Sequence, residues 1–148
     1  MKNMTKQEYQ DYINKKTPNS SLFKDICFAF LIGGLICIIG QLIGDGFKSM
    51  GLDKETAAAS TSVVMVFLGA FLTGIGVYDR IARVAGAGTI VPITGFANSV
   101  VSPAMEFKSE GLVLGLAAKM FIIAGPVIVY GILSSVIVGI IKYVVAML

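Results

Sequence analysis

From Ile26 to Ile43 the chain reads ICFAFLIGGLICIIGQLI, eighteen residues without a charged side chain, closed by Asp25 before it and by Asp45 just after. Such a run predicts a transmembrane helix, because a bilayer core about 30 Å thick is crossed by roughly 20 apolar residues in helical form. The segment before it is polar and of mixed charge, and no small-x-small site follows, so the run reads as a retained span and not a cleaved signal. Two more runs have the same character. AAASTSVVMVFLGAFLTGIGVY, residues 57 to 78, holds 22 uncharged residues and ends at Asp79, Arg80 and Arg83; MFIIAGPVIVYGILSSVIVGII lies between Lys119 and Lys142. Pro126 in the last run removes one backbone donor and is expected to bend that helix.

Charge placement excludes whole classes of protein. The chain has 12 Lys plus Arg and 9 Asp plus Glu, and eight of these 21 fall within the first 25 residues. The remaining 123 residues carry too few charges to cover a water-soluble surface. A cytosolic enzyme, a secreted disulfide scaffold and a nucleic-acid binder are therefore excluded. With no His, neither a catalytic triad nor most zinc sites can be built, and no catalytic residue, metal site or cofactor is expected. Cys27 and Cys37, ten residues apart on one predicted helix, stand about 15 Å from each other, beyond disulfide reach, and read as small apolar packing residues.

The expected architecture is all-α and polytopic: a polar segment 1–25, then a membrane domain 26–148 with spans near 26–44, 57–78 and 119–142. The polar turn DGFKSMGLDKE makes the first two spans an antiparallel hairpin. Counting Lys and Arg alone, five precede the first span and two follow the second, against Lys48 and Lys54 in the turn, so the positive-inside rule places the amino terminus in the cytoplasm. MKNMTKQEYQDYINKK reads as a short amphipathic helix ending before Pro18.

Residues 84–104 do not fit a plain span. Val84 to Pro103 carries no charge, yet contains Gly86, Gly88, Pro92, Gly95 and Pro103 beside Thr89, Thr94, Asn98, Ser99 and Ser102. Pro92 pushes Val91 out of helical geometry, so one continuous helix is not expected. Irregular backbone at membrane depth persists only where protein or a water-filled cavity surrounds it, which makes this stretch a candidate path or binding element. Helix breaking favours a segment that enters and returns; the alternative is a fourth crossing. Gly40-x-x-x-Gly44 and Gly111-x-x-x-Gly115 have the spacing that lets membrane helices approach closely.

GGLICIIGQLIGD (33–45), VAGAGTIVPITGFANSVVSPAMEFKSEG (84–111) and AAKMFIIAGPVIVYG (117–131) resemble the SpoVAC/SpoVAE family of spore-forming Firmicutes. The resemblance runs from about Phe23 to the end. The polar amino-terminal extension and the SPAMEFKSEG wording point to the AC branch. It implies an integral protein of the forespore and spore inner membrane that passes dipicolinic acid with Ca²⁺ during sporulation and germination. It further implies action with other stage V sporulation A proteins, a membrane paralogue and a soluble partner among them.

A dicarboxylate needs a wet, polar or cationic route through hydrocarbon. The candidates are Arg80, Arg83, Lys108 and Lys119 as cations, with Thr89, Thr94 and Asn98 as neutral hydrogen-bonding groups near the Pro92 break. Glu106 and Glu110 are candidates to meet Ca²⁺. Each cation also has a plain reading as a span anchor or solvated residue. Three spans and one broken element are few for a complete pore, so an oligomer embedded in lipid is expected. It is expected to be passive, since no Walker A motif appears, and glycine-rich helices suit opening by bilayer tension. The competing reading is a membrane anchor that docks partners through residues 1–25 and has no pore of its own.

Overall fold

The computed structural model describes residues 5–16 and 21–147. Every regular element among them is helical. Helix α1, Lys6–Lys16, opens on a reciprocal cap in which Thr5 N donates to Glu8 Oε2 (2.9 Å) and Glu8 N donates to Thr5 Oγ1 (3.3 Å). Helix α2 spans Leu22–Ser49 and α3 spans Lys54–Gly74. Asp53 caps α3 by accepting from Glu55 N and Thr56 N, both at 3.1 Å. Helix α4 is Val77–Ala85, a 3₁₀ turn follows at Gly86–Thr89, and α5 is Pro92–Glu106. A second 3₁₀ turn, Lys108–Glu110, and a π-helical stretch, Leu112–Ala117, lead into α6, Ala118–Met147.

Three of these helices are long and apolar enough to cross a membrane: Leu22–Ser49, Lys54–Gly74 and the continuous run Leu112–Met147. The chain is an all-α polytopic membrane protein with three such helices and one broken element. Helix α3 stops at Gly74, four residues short of the end of the uncharged run. Gly76, at φ +71°, turns the chain, and Tyr78 belongs to α4.

The packing gives the direction of each helix. Gly40 lies against Met65 and Gly44 against Thr61, so α2 and α3 are antiparallel. Gly69 lies against Thr94 and Ala97, and Thr73 bonds Asn98, so residue numbers rise together and α5 runs in the same direction as α3. Residues 77–106 form the hairpin: α4 and the 3₁₀ turn carry the chain from Gly76 across to Ala29 of α2, residues 89–92 reach inward, and α5 runs back beside α3. Lys119 sits over the Phe107 ring while Ile123 and Val127 share a recess with Ser99, Gly95 and Pro92, which makes α6 antiparallel to α5. From Pro126 onward every described residue of α6 is exposed. Cys27 and Cys37 are exposed on α2 and are not packed among helices as expected.

The break at Pro92 has the anticipated form. Val91 is extended (φ −69°, ψ 129°) and Pro92 opens α5 from its first turn, where the missing N–H costs nothing. Pro103, in contrast, lies inside α5 and Pro126 inside α6, both without ending the helix.

Candidate functional site

The doubled-back segment is held by small residues and by four buried hydroxyl side chains, those of Thr73, Tyr78, Thr89 and Thr94. A Cβ on Gly88 would stand 2.7 Å from Ala29 Cα and 2.9 Å from its carbonyl carbon, so the 3₁₀ turn rests directly on the α2 backbone. A Cβ on Gly69 would stand 3.0–3.1 Å from Thr94 backbone atoms. At such separations a side chain on either partner would force the helices apart.

Polar groups inside this packing are satisfied by one another. Tyr78, 4% exposed, donates its hydroxyl proton to Thr89 O at 2.7 Å, and its oxygen is 3.3 Å from Thr94 Oγ1. Thr89 Oγ1 donates to Gly86 O at 3.0 Å. The bond from Tyr78 therefore ties α4 to the turn that leads into α5, supplying a donor to a carbonyl that the non-helical turn leaves over. One helical turn along α5, Thr73 Oγ1 is 2.7 Å from Gly69 O and 3.0 Å from Asn98 Oδ1; with one proton, it donates to one at a time.

Beyond Thr73 a polar cleft of about 340 Å³ opens, lined by Thr73, Asp79, Asn98, Ser102, Met105 and Glu106. Asp79 Oδ2 accepts from Arg83 Nη2 at 2.7 Å. Both partners are exposed, so water screens the pair and it contributes little to stability. The cleft thus gathers two carboxylates, an amide and two hydroxyls at the end of the bundle where α3 finishes, α4 begins and α5 returns. Hard oxygen donors of this kind suit a divalent cation such as Ca²⁺ better than a bare anion.

A model of the SpoVAC/SpoVAEB sporulation membrane protein family matches residues 25–141. The chain is also 45% identical over 139 residues, 93% of each chain, to stage V sporulation protein AC of Bacillus subtilis (strain 168). The chain belongs to the SpoVAC/SpoVAEB sporulation membrane protein family. No solved structure matches it.

For a member of this family the structure sorts the candidate residues into distinct places. Thr89 and Thr94 are buried in the Tyr78 network, while Asn98 and Glu106 line the cleft. Pro92 is exposed at the inner tip of the hairpin, whose neighbour Ile93 reaches a groove shared with Gly40, Gly44 and Ala57. Arg80 and Arg83 are exposed on α4, and Lys108 is exposed in its turn. Lys119 Nζ sits 4.3 Å from the centre of the Phe107 ring, an interaction that holds a cation without a carboxylate. Gly40 and Gly44 face α3. Gly111 has φ +98°, and a Cβ added there would meet no heavy atom within 4 Å, so it turns the chain; Gly115 packs against Phe107 and Glu110 of the preceding turn. Among the described residues, no group of three or more His, Cys, Asp or Glu could hold a metal ion. Thr73, Tyr78 and Asp79 complete the arrangement and were not singled out from sequence. Tyr78 followed by Asp79 at the edge of an uncharged run reads as an ordinary span end, and only the turn at Gly76 buries Tyr78 and sets Asp79 at the rim of the cleft.

Proposed function

We propose that this chain is a subunit of a spore inner-membrane channel that passes dipicolinic acid with Ca²⁺ during sporulation and germination. It works passively, opens under bilayer tension, and acts beside other stage V sporulation A proteins. Membership of a sporulation membrane protein family supports the setting. The observation that carries the reading is the hairpin of residues 77–106: it doubles back among the spanning helices and leads from the Asp79–Glu106 cleft toward its Pro92 tip. In this reading the segment is re-entrant, and the amino terminus and Lys108 lie on the cytoplasmic side. Ca²⁺ meets Asp79 and Glu106 at the mouth, and the dicarboxylate follows as its partner. The oligomer supplies the walls that one chain lacks, since every described residue of α6 beyond Gly125 is exposed.

The test is release of dipicolinate from liposomes holding the purified protein, followed with external Tb³⁺. Flux that rises with membrane tension and falls in Asn98→Leu supports the channel. Flux only with partner proteins present makes this chain one part of a heteromeric pore, and none in either case removes the channel. The second reading, an anchor subunit without a pore, draws on α1, whose described residues are all exposed, Tyr9 and Tyr12 included. Deleting residues 2–20 should then abolish assembly.

A further inference from the structure

A second cavity, unrelated to the polar cleft, lies at mid-length between α2, α3 and the hairpin. Its volume is about 340 Å³, and its walls include Ile32, Leu35, Ile36, Leu68, Leu72 and Ile81. Leu35 (60% exposed) and Ile39 (41% exposed) form its rim, so it opens sideways from the bundle. α2 and α3 are membrane-crossing helices, and Ile32–Ile39 sits at the middle of the first. The opening therefore faces hydrocarbon. Water finds no foothold there: a buried water requires two to four polar partners, and the polar atoms nearest the walls, Tyr78 Oη and Thr94 Oγ1, are turned to each other and to Thr89 O.

One end of the cavity carries the opposite chemistry. Tyr78 and Ile81 of α4 line the cavity, and Arg80 stands between them on the exposed face of the same turn. Because α2 and α3 are antiparallel, α4 begins at the end of the bundle where α2 begins, and Lys24 in the first turn of α2 is exposed at that same end. Asp79 occupies Arg83, but Arg80 has no ion-pair partner among the described residues. An apolar slot at mid-membrane, with Arg80 beside its α4 wall and Lys24 at the same end of the bundle, matches one phospholipid: an acyl chain in the slot and an anionic headgroup on the guanidinium.

We infer that this cavity is a specific site for an anionic phospholipid, with one acyl chain between α2, α3 and the hairpin and its phosphate at Arg80 and Lys24. A second copy of the chain fits less well. A helix about 10 Å across does not enter a slot of this size, and α6, the helix left exposed, brings Lys119 to the cationic end and Lys142 to the other. The site bears on the hairpin directly. Tyr78 and Thr94, which close the hairpin, also form the cavity wall, so lipid in the slot supports the same contacts that seat the 3₁₀ turn on α2. This assignment is independent of what the protein transports.

The experiment uses the full chain in phosphatidylcholine nanodiscs doped with phosphatidylglycerol bearing a diazirine midway along one acyl chain. After photolysis, adducts are mapped by mass spectrometry. Labelling of residues 32–39 and 65–72 should exceed that of 128–141 several-fold, although α6 is the more exposed. Ile36→Trp or Leu68→Phe should fill the slot and remove the excess while leaving α6 labelling unchanged. Arg80→Gln should lower the phosphatidylglycerol signal roughly fivefold, the effect of one interfacial cation, and leave labelling by a diazirine phosphatidylcholine unaltered. Equal labelling of the two regions in the unaltered protein would overturn the site, as would the absence of lipid adducts at residues 32–39 and 65–72. The unaltered protein alone decides this point, so a slot-filling variant that fails to fold does not rescue the inference.

Discussion

Gly88→Ala should unseat the hairpin, and its cost follows from the geometry. The added methyl would meet Ala29 Cα at 2.7 Å and the Ala29 carbonyl carbon at 2.9 Å, against ordinary carbon contacts of about 3.5–4.0 Å. A flexible side chain could swing away from it. The α2 backbone cannot, because those atoms belong to the continuous hydrogen-bonded ladder of a 28-residue helix. The hairpin must move instead, disturbing the Tyr78–Thr89 bond and the Gly33–Gly88 contact together. Overpacking costs about 1–3 kcal/mol, and an immovable partner places this case near the upper figure. At roughly 2–4 °C per kcal/mol for a chain of this size, the melting temperature should fall by about 6–12 °C. The control is Gly34→Ala, also on α2, where an added Cβ finds no heavy atom within 4 Å. There the helix gains about 1 kcal/mol of propensity and the melt should hold or rise slightly. The assay is thermal unfolding of the detergent-solubilised protein by circular dichroism. If Gly88→Ala melts within about 2 °C of the parent, the 3₁₀ turn does not rest on α2 and the packing argument fails.

Tyr78→Phe leaves the Thr89 carbonyl without its donor inside the bundle and should cost about 1–3 kcal/mol; denaturant titration at unchanged slope measures it, and a neutral result would mean water reaches the turn. Asp53 should give α3 a pH dependence. Hydrogen bonds from Thr56, then Glu55, hold its carboxyl below the usual value. A folded pKa below the unfolded one means stability that is present above about pH 4 and lost as pH falls through the folded value. The melting difference between the parent and Asp53→Ala should therefore shrink in acid, and a gap that is constant from neutral to acid pH would contradict the cap. Topology is checked with single cysteines in a background where Cys27 and Cys37 are alanine. Arg83→Cys and Ser109→Cys should react with an impermeant thiol reagent from one side and Met147→Cys from the other; Arg83 and Ser109 on opposite sides would require four crossings.

The membrane class, the three spanning helices and the interruption at Val91–Pro92 could all be read along the chain, because each depends on neighbours in sequence. Hydrocarbon selects uncharged runs of sufficient length, and Pro92 excludes helical geometry for the residue before it. The direction in which α5 leaves the break was not readable this way. It depends on Gly69 meeting Thr94, on Gly88 meeting Ala29 and on Tyr78 reaching Thr89, contacts between residues that are far apart in sequence and individually ordinary in a glycine-rich chain. The same holds for the two recesses. Asp79 and Glu106 mark separate boundaries of uncharged runs, and only the return of α5 alongside α3 brings them into one cleft. Local hydropathy determined what enters the bilayer, whereas side-to-side packing of small residues decided which polar groups face one another there and where an apolar slot remains.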